Sequence, residues 1–503
     1  MKNRKVMRVV AIVLVALLAG GAVVSALIGA LALAEEAPAT QPRHRQEIKI
    51  EYLEDEQALQ ISQRLVYVNP SAERLEAVVF YAAGNLFRRQ DALAAGADEF
   101  SAVFPGGYAP AGVDLRGVRF NGADADYGFQ GEDELYLRVA CDLGPGESGA
   151  FEFDYYLLLA RCNAFQGAGD TDVRAAAFYF APGVYDARYR EFVVKRPLTF
   201  TRWLYCDAAD FDVTLTLPEI YAPAATGEET LVGTERHRST WRIEAAGARE
   251  FALSFGKRWR RSEATSEGGV RVTAWTGARG DAAAKAAARA VSLCEAWFGE
   301  YPVRSLDVVQ SDCAPSAMVF PGTVWAPSAL FGPGREAELG QVLRFAAAQQ
   351  IFGMAAYAEP SADAWLSDSV CEYLSYLMLE EDEGRDAFLK AVNRDWVSEL
   401  QMTVPGGLSV TSDAALMDRR TYDTIIRARG AVVMHELREA MGRDGLLAGL
   451  AAFARMGSPD RTLTEMDFVS ALDAATGGDW EAFLTDWVFN VGEYVNQTID
   501  WFE

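Results

Sequence analysis

The sequence predicts a multidomain α+β protein: an N-terminal membrane helix, an all-β sandwich-like region, then a mixed α+β region ending in a helical bundle. Three observations carry this expectation. A long uncharged apolar run follows a basic N-terminus. Alternating apolar runs punctuated by turn residues fill positions 47–259, and helical periodicity dominates from about Ala337 onward. At 503 residues the chain is too long for one compact core, and its apolar half marks it as globular.

Lys2, Arg4, Lys5 and Arg8 precede an apolar run from Val9 to Ala34, which ends at Glu35-Glu36. At helical rise that run is long enough to cross a bilayer with some tilt. The positive charges should remain cytoplasmic, so residues 1–36 are expected to form a basic stub and a transmembrane signal anchor. The protein would then sit in the cell membrane, single-pass, with its body extracytoplasmic. Ala32-Leu33-Ala34 also fits an A-x-A cleavage site, and cleavage there would make the protein secreted; the length of the run favours the anchor. Residues 37–46, with Pro38 and Pro42 and no apolar periodicity, read as a linker.

From 47 to 259 the strand signals are plain. Ile48 to Tyr52, Phe211 to Leu217 and Phe251 to Phe255 alternate apolar with polar residues, and Asn69-Pro70, Pro105-Gly106-Gly107, Asn121-Gly122 and Gly144-Pro145-Gly146 supply turns. After Gly268 the character changes. Val270 to Trp275 and Leu306 to Gln310 read as strands around an alanine-rich helix over 281–299. Helices are then expected at 339–354, 364–381, 385–399, 422–441, 445–456, 465–475 and 479–488.

A formal net charge of -24 offers no basic surface for phosphate, so nucleic acid is excluded as a partner class. The six cysteines contain no C-x-x-C pair. In an exported protein one or two disulfides could form, though spacing does not pair them. Only His44, His237 and His435 exist, and no two are close enough for a helical ligand pair.

Between Arg344 and Met378 two words stand out. Phe345-Ala346-Ala347-Ala348-Gln349-Gln350-Ile351-Phe352-Gly353 stands where a helical H-E-x-x-H-Q-W-F-G would, and Trp365-Leu366-Ser367-Asp368-Ser369-Val370-Cys371-Glu372-Tyr373-Leu374 looks like W-L-N-E-G-F-A-x-Y-L. Phe298-Gly299-Glu300-Tyr301-Pro302 matches F-G-x-Y-P, and Trp487 to Gly492 matches a late W-x-x-x-x-G. The chain resembles the aminopeptidase N (membrane alanyl aminopeptidase) family of zinc metallopeptidases from about Glu47 to its end. The resemblance implies an N-terminal β domain over 47–259, which Asp210 to Pro218 and Arg249 to Ala252 also carry. It implies a thermolysin-like (gluzincin) peptidase-like domain over 268–503.

The family's chemistry is not kept with its scaffold. Phe345 and Gln349 match the two zinc histidines, Ala346 the general base, and Asp368 the third ligand. Phenylalanine and alanine have no lone pair to donate, and a lone amide oxygen is a poor zinc ligand. Val319, in Ser316-Ala317-Met318-Val319-Phe320, matches the glutamate of G-A-M-E-N; Arg427, in Arg427-Ala428-Arg429-Gly430-Ala431, matches the tyrosine of Y-x-K-G-A. The zinc the family implies is therefore expected to be absent, with no other cofactor in its place.

Other groups have two readings. Asp368 and Glu372 share a helix face and could act as paired carboxylates, although the second position belongs to packing in the family fold. Glu380 to Glu383 is expected to end a helix in solvent, a weak calcium site being the alternative. Arg427 and Arg429 suit a carboxylate or phosphate, or pair with Asp368 or Glu436. His435 reads as a buried or helix-face histidine. The expectation is a pseudopeptidase that binds a peptide or partner protein at the cell surface, with Gln349, Asp368, Glu372, Tyr422, Arg427 and Arg429 as cleft-binding candidates. The alternative is a metallo-aminopeptidase keeping residual activity through non-standard ligands.

Overall fold

The computed structural model describes residues 43–92, 97–313 and 316–488, and the expected anchor and cleavage site lie outside them. No helix among the described residues is long and apolar enough to cross a membrane. Chain packing gathers residues from Arg43 onward into one unit.

Period-two alternation builds the first part. His44–Leu53 buries every second side chain, pairs antiparallel with Ala58–Val68, and pairs parallel with Ala209–Pro218. These strands anchor an eight-stranded sheet in which the edge hairpin Glu228–Glu235/Arg238–Ala248 lies beside Ala209–Pro218. On the other side come Ser148–Leu158 and Gly112–Phe120. Asn121-Gly122 closes the last hairpin with φ of 50° and 80°, the left-handed pair that a two-residue turn requires. Two four-stranded sheets and a two-stranded ribbon, Val184–Asp186 with Glu191–Val193, complete the β region, and aromatic edge-to-face contacts such as Phe80 with Phe151 and Phe153 fill the space between layers. The first strand begins at His44, inside the segment expected to be a linker. Its ring stacks on Tyr67 at 4.5 Å, and its Nδ1 accepts the Val68 N–H, which ties the segment down.

The second part opens with a five-stranded sheet. Arg271–Thr276, Ser305–Ser311 and Thr323–Pro327 run parallel, with Met318–Phe320 antiparallel at one edge and Arg260–Thr265 at the other. Helix α1 (Gly280–Phe298) makes the crossover, and its stripe of buried alanines allows close approach to the sheet. Then come α2 (Glu336–Gln349), α3 (Ala364–Glu383), α4 (Arg385–Leu400), α5 (Gly430–Arg455) and α6 (Glu465–Thr476). Two π-helical segments interrupt the expected helices: Gln350–Ala355 follows α2, and Asp423–Arg429 leads into α5. Gly442, at φ 78°, breaks α5 where the sequence separated two helices.

A buried polar seam joins the two parts. Asp172 accepts from Arg174, Ser254 and Ser311 and from the Asp312 backbone, while Asp312 in turn accepts from Thr171. Asp172 and Arg174 have no solvent exposure. The acidic run Glu380–Glu383 ends α3 with Glu381 to Glu383 exposed, as expected, and it carries ion pairs: Glu380 with Arg438 and Arg385, Glu381 with Arg443, Asp382 with Arg289. All six cysteines are free thiols.

Candidate functional site

Helix α2 presents Phe345 and Gln349 one turn apart toward α3, which carries Asp368 and Glu372 on its facing side. The π-helical segment 423–429 brings in Arg427, and the strand Met318–Phe320 brings in Val319. Together they border a cavity of about 430 Å³. Its far wall comes from the β region, through the segment 198–204 and Glu250.

Each side chain has a defined occupation. Asp368 is nearly buried, and both its oxygens are engaged: Oδ1 accepts from Gln349 Nε2 at 2.8 Å and Ser367 Oγ at 3.3 Å, and Oδ2 accepts the Tyr422 hydroxyl at 2.8 Å. Tyr422 in turn accepts from Thr201 Oγ1 at 3.0 Å. Burial pushes its phenol well above the ordinary range, so it is a fixed proton donor to Asp368. The Arg427 guanidinium lies over the Phe345 ring, 4.4 Å from its centroid. Burial alone would lower its pKa, but Glu372, Asp423 and Asp368 outweigh that and hold it firmly cationic. Glu372 accepts the Trp396 indole N–H at 3.4 Å, and burial raises its carboxyl despite Arg427.

The sequence candidates therefore separate. Gln349, Asp368, Glu372 and Arg427 line the cavity, whereas Tyr422 stands behind its wall and Arg429 is not among the lining residues. Arg429 Nε is buried without a partner. Neither Arg427 nor Arg429 forms an ion pair with Asp368 or Glu436 among the described residues, and the Arg427 guanidinium lies over the Phe345 ring instead. Ala346 is fully buried in packing and Val319 lines the cavity. His435 is buried beside Tyr373 and Phe388, and burial, with Arg385 and Arg438, lowers it to about 4.

Sequence reasoning missed Arg202 and Glu250. Arg202 Nη1 donates to the Gly353 carbonyl at 2.5 Å, capping the π-helical segment after α2, and Nη2 reaches Glu250 at 3.5 Å. Burial raises the Glu250 carboxyl and Arg202 opposes the rise. No local pattern could have flagged a contact between positions 151 apart.

A zinc ion needs about four convergent lone-pair donors. Here Phe345 offers a ring already covered by a cation, Ala346 a methyl, Gln349 an amide committed to Asp368, and Asp368 a carboxyl with both oxygens engaged. Among the described residues no three His, Cys, Asp or Glu side chains come together as metal ligands. This set does not fit zinc.

No family model matches the sequence, and no curated protein matches it. Solved structures do match in shape. An M1 zinc metallopeptidase from Deinococcus radiodurans is similar at 18% identity and a TM-score of 0.61, over 89% of this chain and 92% of that one. A glutamate-to-alanine mutant of such an enzyme from the same organism, bound to a Tyr-Ser-Ala substrate, aligns at 18% identity and 0.61, covering 89% and 93%. A two-domain M1 zinc metallopeptidase mutant bound to L-tryptophan aligns at 17% identity and 0.62, covering 89% and 95%. Similarity in shape over most of both chains thus gives this chain the multidomain fold of the M1 zinc metallopeptidases, the aminopeptidase N family.

Proposed function

We propose that this chain is a membrane-anchored, extracytoplasmic pseudopeptidase that retains a peptide or partner protein in the old cleft without cleaving it. The observation that carries the reading is the fate of Asp368. The carboxyl at the third-ligand position is held from one side by Gln349 and from the other by Tyr422, so its lone pairs serve the fold. At the first-ligand and base positions stand an aromatic ring and a methyl. Function resides in sites rather than folds, so the family's hydrolysis does not transfer. An open cavity, in a fold whose relative was crystallised with a Tyr-Ser-Ala substrate, supports binding in its place. The anchor is the run Val9 to Ala34, with the basic stub on the cytoplasmic side.

Metal analysis of the purified chain together with aminoacyl-anilide hydrolysis tests this. The expected result is substoichiometric zinc and no chelator-sensitive turnover. Stoichiometric zinc with turnover abolished by chelator would reinstate a metallo-aminopeptidase acting through Gln349 and Asp368. Protease protection in membrane vesicles tests the anchor: a body digested from the cytoplasmic side would reverse the topology.

A further inference from the structure

Arg427 borders the cavity with its guanidinium over the Phe345 ring, and among the described residues it makes no side-chain hydrogen bond or ion pair. The nearby carboxyls are turned to other partners: Asp368 to Gln349, Ser367 and Tyr422, Glu372 to the Trp396 indole, and Asp423 to Arg419 at 3.6 Å. A guanidinium carries five N–H donors in a planar fork, and Arg427 is only partly buried, so its donors meet the cavity rather than a protein acceptor. A carboxylate fills two of them at once.

The rest of the lining narrows the ligand. Arg202 is committed to Gly353 and Glu250, and Arg335 lies near Glu338 at 3.5 Å, so Arg427 is left as the lining cation without a direct partner. Asp368 and Glu372 border the same space and oppose a second negative charge, which disfavours a phosphate dianion. Phe200, Trp203, Met318 and Leu330 supply apolar wall. A pocket with a few convergent polar groups in an apolar lining suits a ligand with one charged end.

We propose that the cavity captures the C-terminal residue of a peptide, its α-carboxylate forked on Arg427 and its apolar side chain against Phe200, Trp203 and Met318. This rests on the reading that the cleft binds peptides without cutting them.

Titration calorimetry on the full-length chain in detergent, with acetyl-alanyl-phenylalanine and its C-terminal amide as probes, tests the proposal. The free acid is expected to bind and the amide to bind at least about tenfold more weakly, the loss of a charge-assisted fork. Arg427→Lys keeps the positive charge against Glu372, Asp423 and Asp368 but lacks the fork, and a similar loss is expected for the acid alone. Equal binding of acid and amide overturns the carboxylate assignment while leaving peptide binding in the cleft intact. Binding of neither probe overturns the proposal. Zinc-dependent anilide turnover sinks the underlying reading itself. If the lysine variant fails to fold, the acid–amide ratio on the native chain still decides.

Discussion

Removing the Tyr422 hydroxyl isolates the contact on which the reading of Asp368 depends. Tyr422→Phe keeps the ring and its packing on Phe200, 5.4 Å away, but deletes the donor to Asp368 Oδ2 at 2.8 Å. Thr201, partly exposed, can turn toward the cavity, so its lost partner costs little. The orphaned carboxyl oxygen, nearly buried, should cost about 1–3 kcal/mol. Unfolding entropy is about 2.1 cal/mol/K per residue, so over the unit from Arg43 to Glu503 it reaches about 1 kcal/mol/K. A loss of about 2 kcal/mol then lowers Tm by only about 2 °C. Denaturant titration is therefore the better assay, in a double-mutant cycle with Asp368→Asn, where the coupling energy should be about 1 kcal/mol or more. Zero coupling, together with a single-mutant change within about 0.5 kcal/mol, would refute the argument. Asp368 would then be unheld from behind, with lone pairs available to a metal.

Arg202→Met should cost about 3–5 kcal/mol in denaturant titration, because it leaves Glu250 buried without its cation and uncaps the Gly353 carbonyl. An unchanged midpoint would contradict that role. Gly430→Ala would drive a methyl into Ser369 on α3, and a loss of about 3 kcal/mol or no soluble protein is expected; wild-type melting would show that α5 and α3 are not so close. Burial holds the folded His435 near pKa 4, against an ordinary value of 6.5, so the unfolded chain binds the proton first as pH falls. Stability from keeping it neutral is full above pH 6.5 and is lost down to pH 4, on the order of 3 kcal/mol in all. The difference in stability between parent and His435→Gln should show this slope. It cancels Asp363 and Glu436, whose raised carboxyls (about 6 and about 7) slope the other way; a flat difference would refute the assignment. Five of the six thiols are buried, so Cys141 alone should react with a thiol reagent before unfolding.

The elements were legible in the sequence because their signals are local. Period-two runs marked the strands, Asn121-Gly122 marked its hairpin, and the split between the expected helices 422–441 and 445–456 falls at Gly442, where the backbone turns left-handed. The loss of lone pairs at Phe345 and Ala346 was readable for the same reason, since residue type alone decides it. The occupations of the polar groups were not. Whether Arg427 would pair with Asp368 or stack on Phe345 depends on the π-helical turn that carries it, and an extra residue per turn leaves no trace in a helical hydrophobic pattern. Arg202 and Glu250 come from the β region, and only the folded chain brings them to the cavity wall. His44 was read as linker because one ring stacking on Tyr67 has no periodicity to reveal it.

Asp172, accepting from residues of both parts of the chain with its side chain shut off from solvent, makes separating those parts costly. The walls of the cavity come from both sides of that junction, so they are set at a fixed spacing. The peptide proposed above would then enter by the mouth instead of being clasped by a hinge, with little of its affinity spent on rearranging the host. Mutations at this remote rivet should thus change how tightly guests are held without touching a single contact to them.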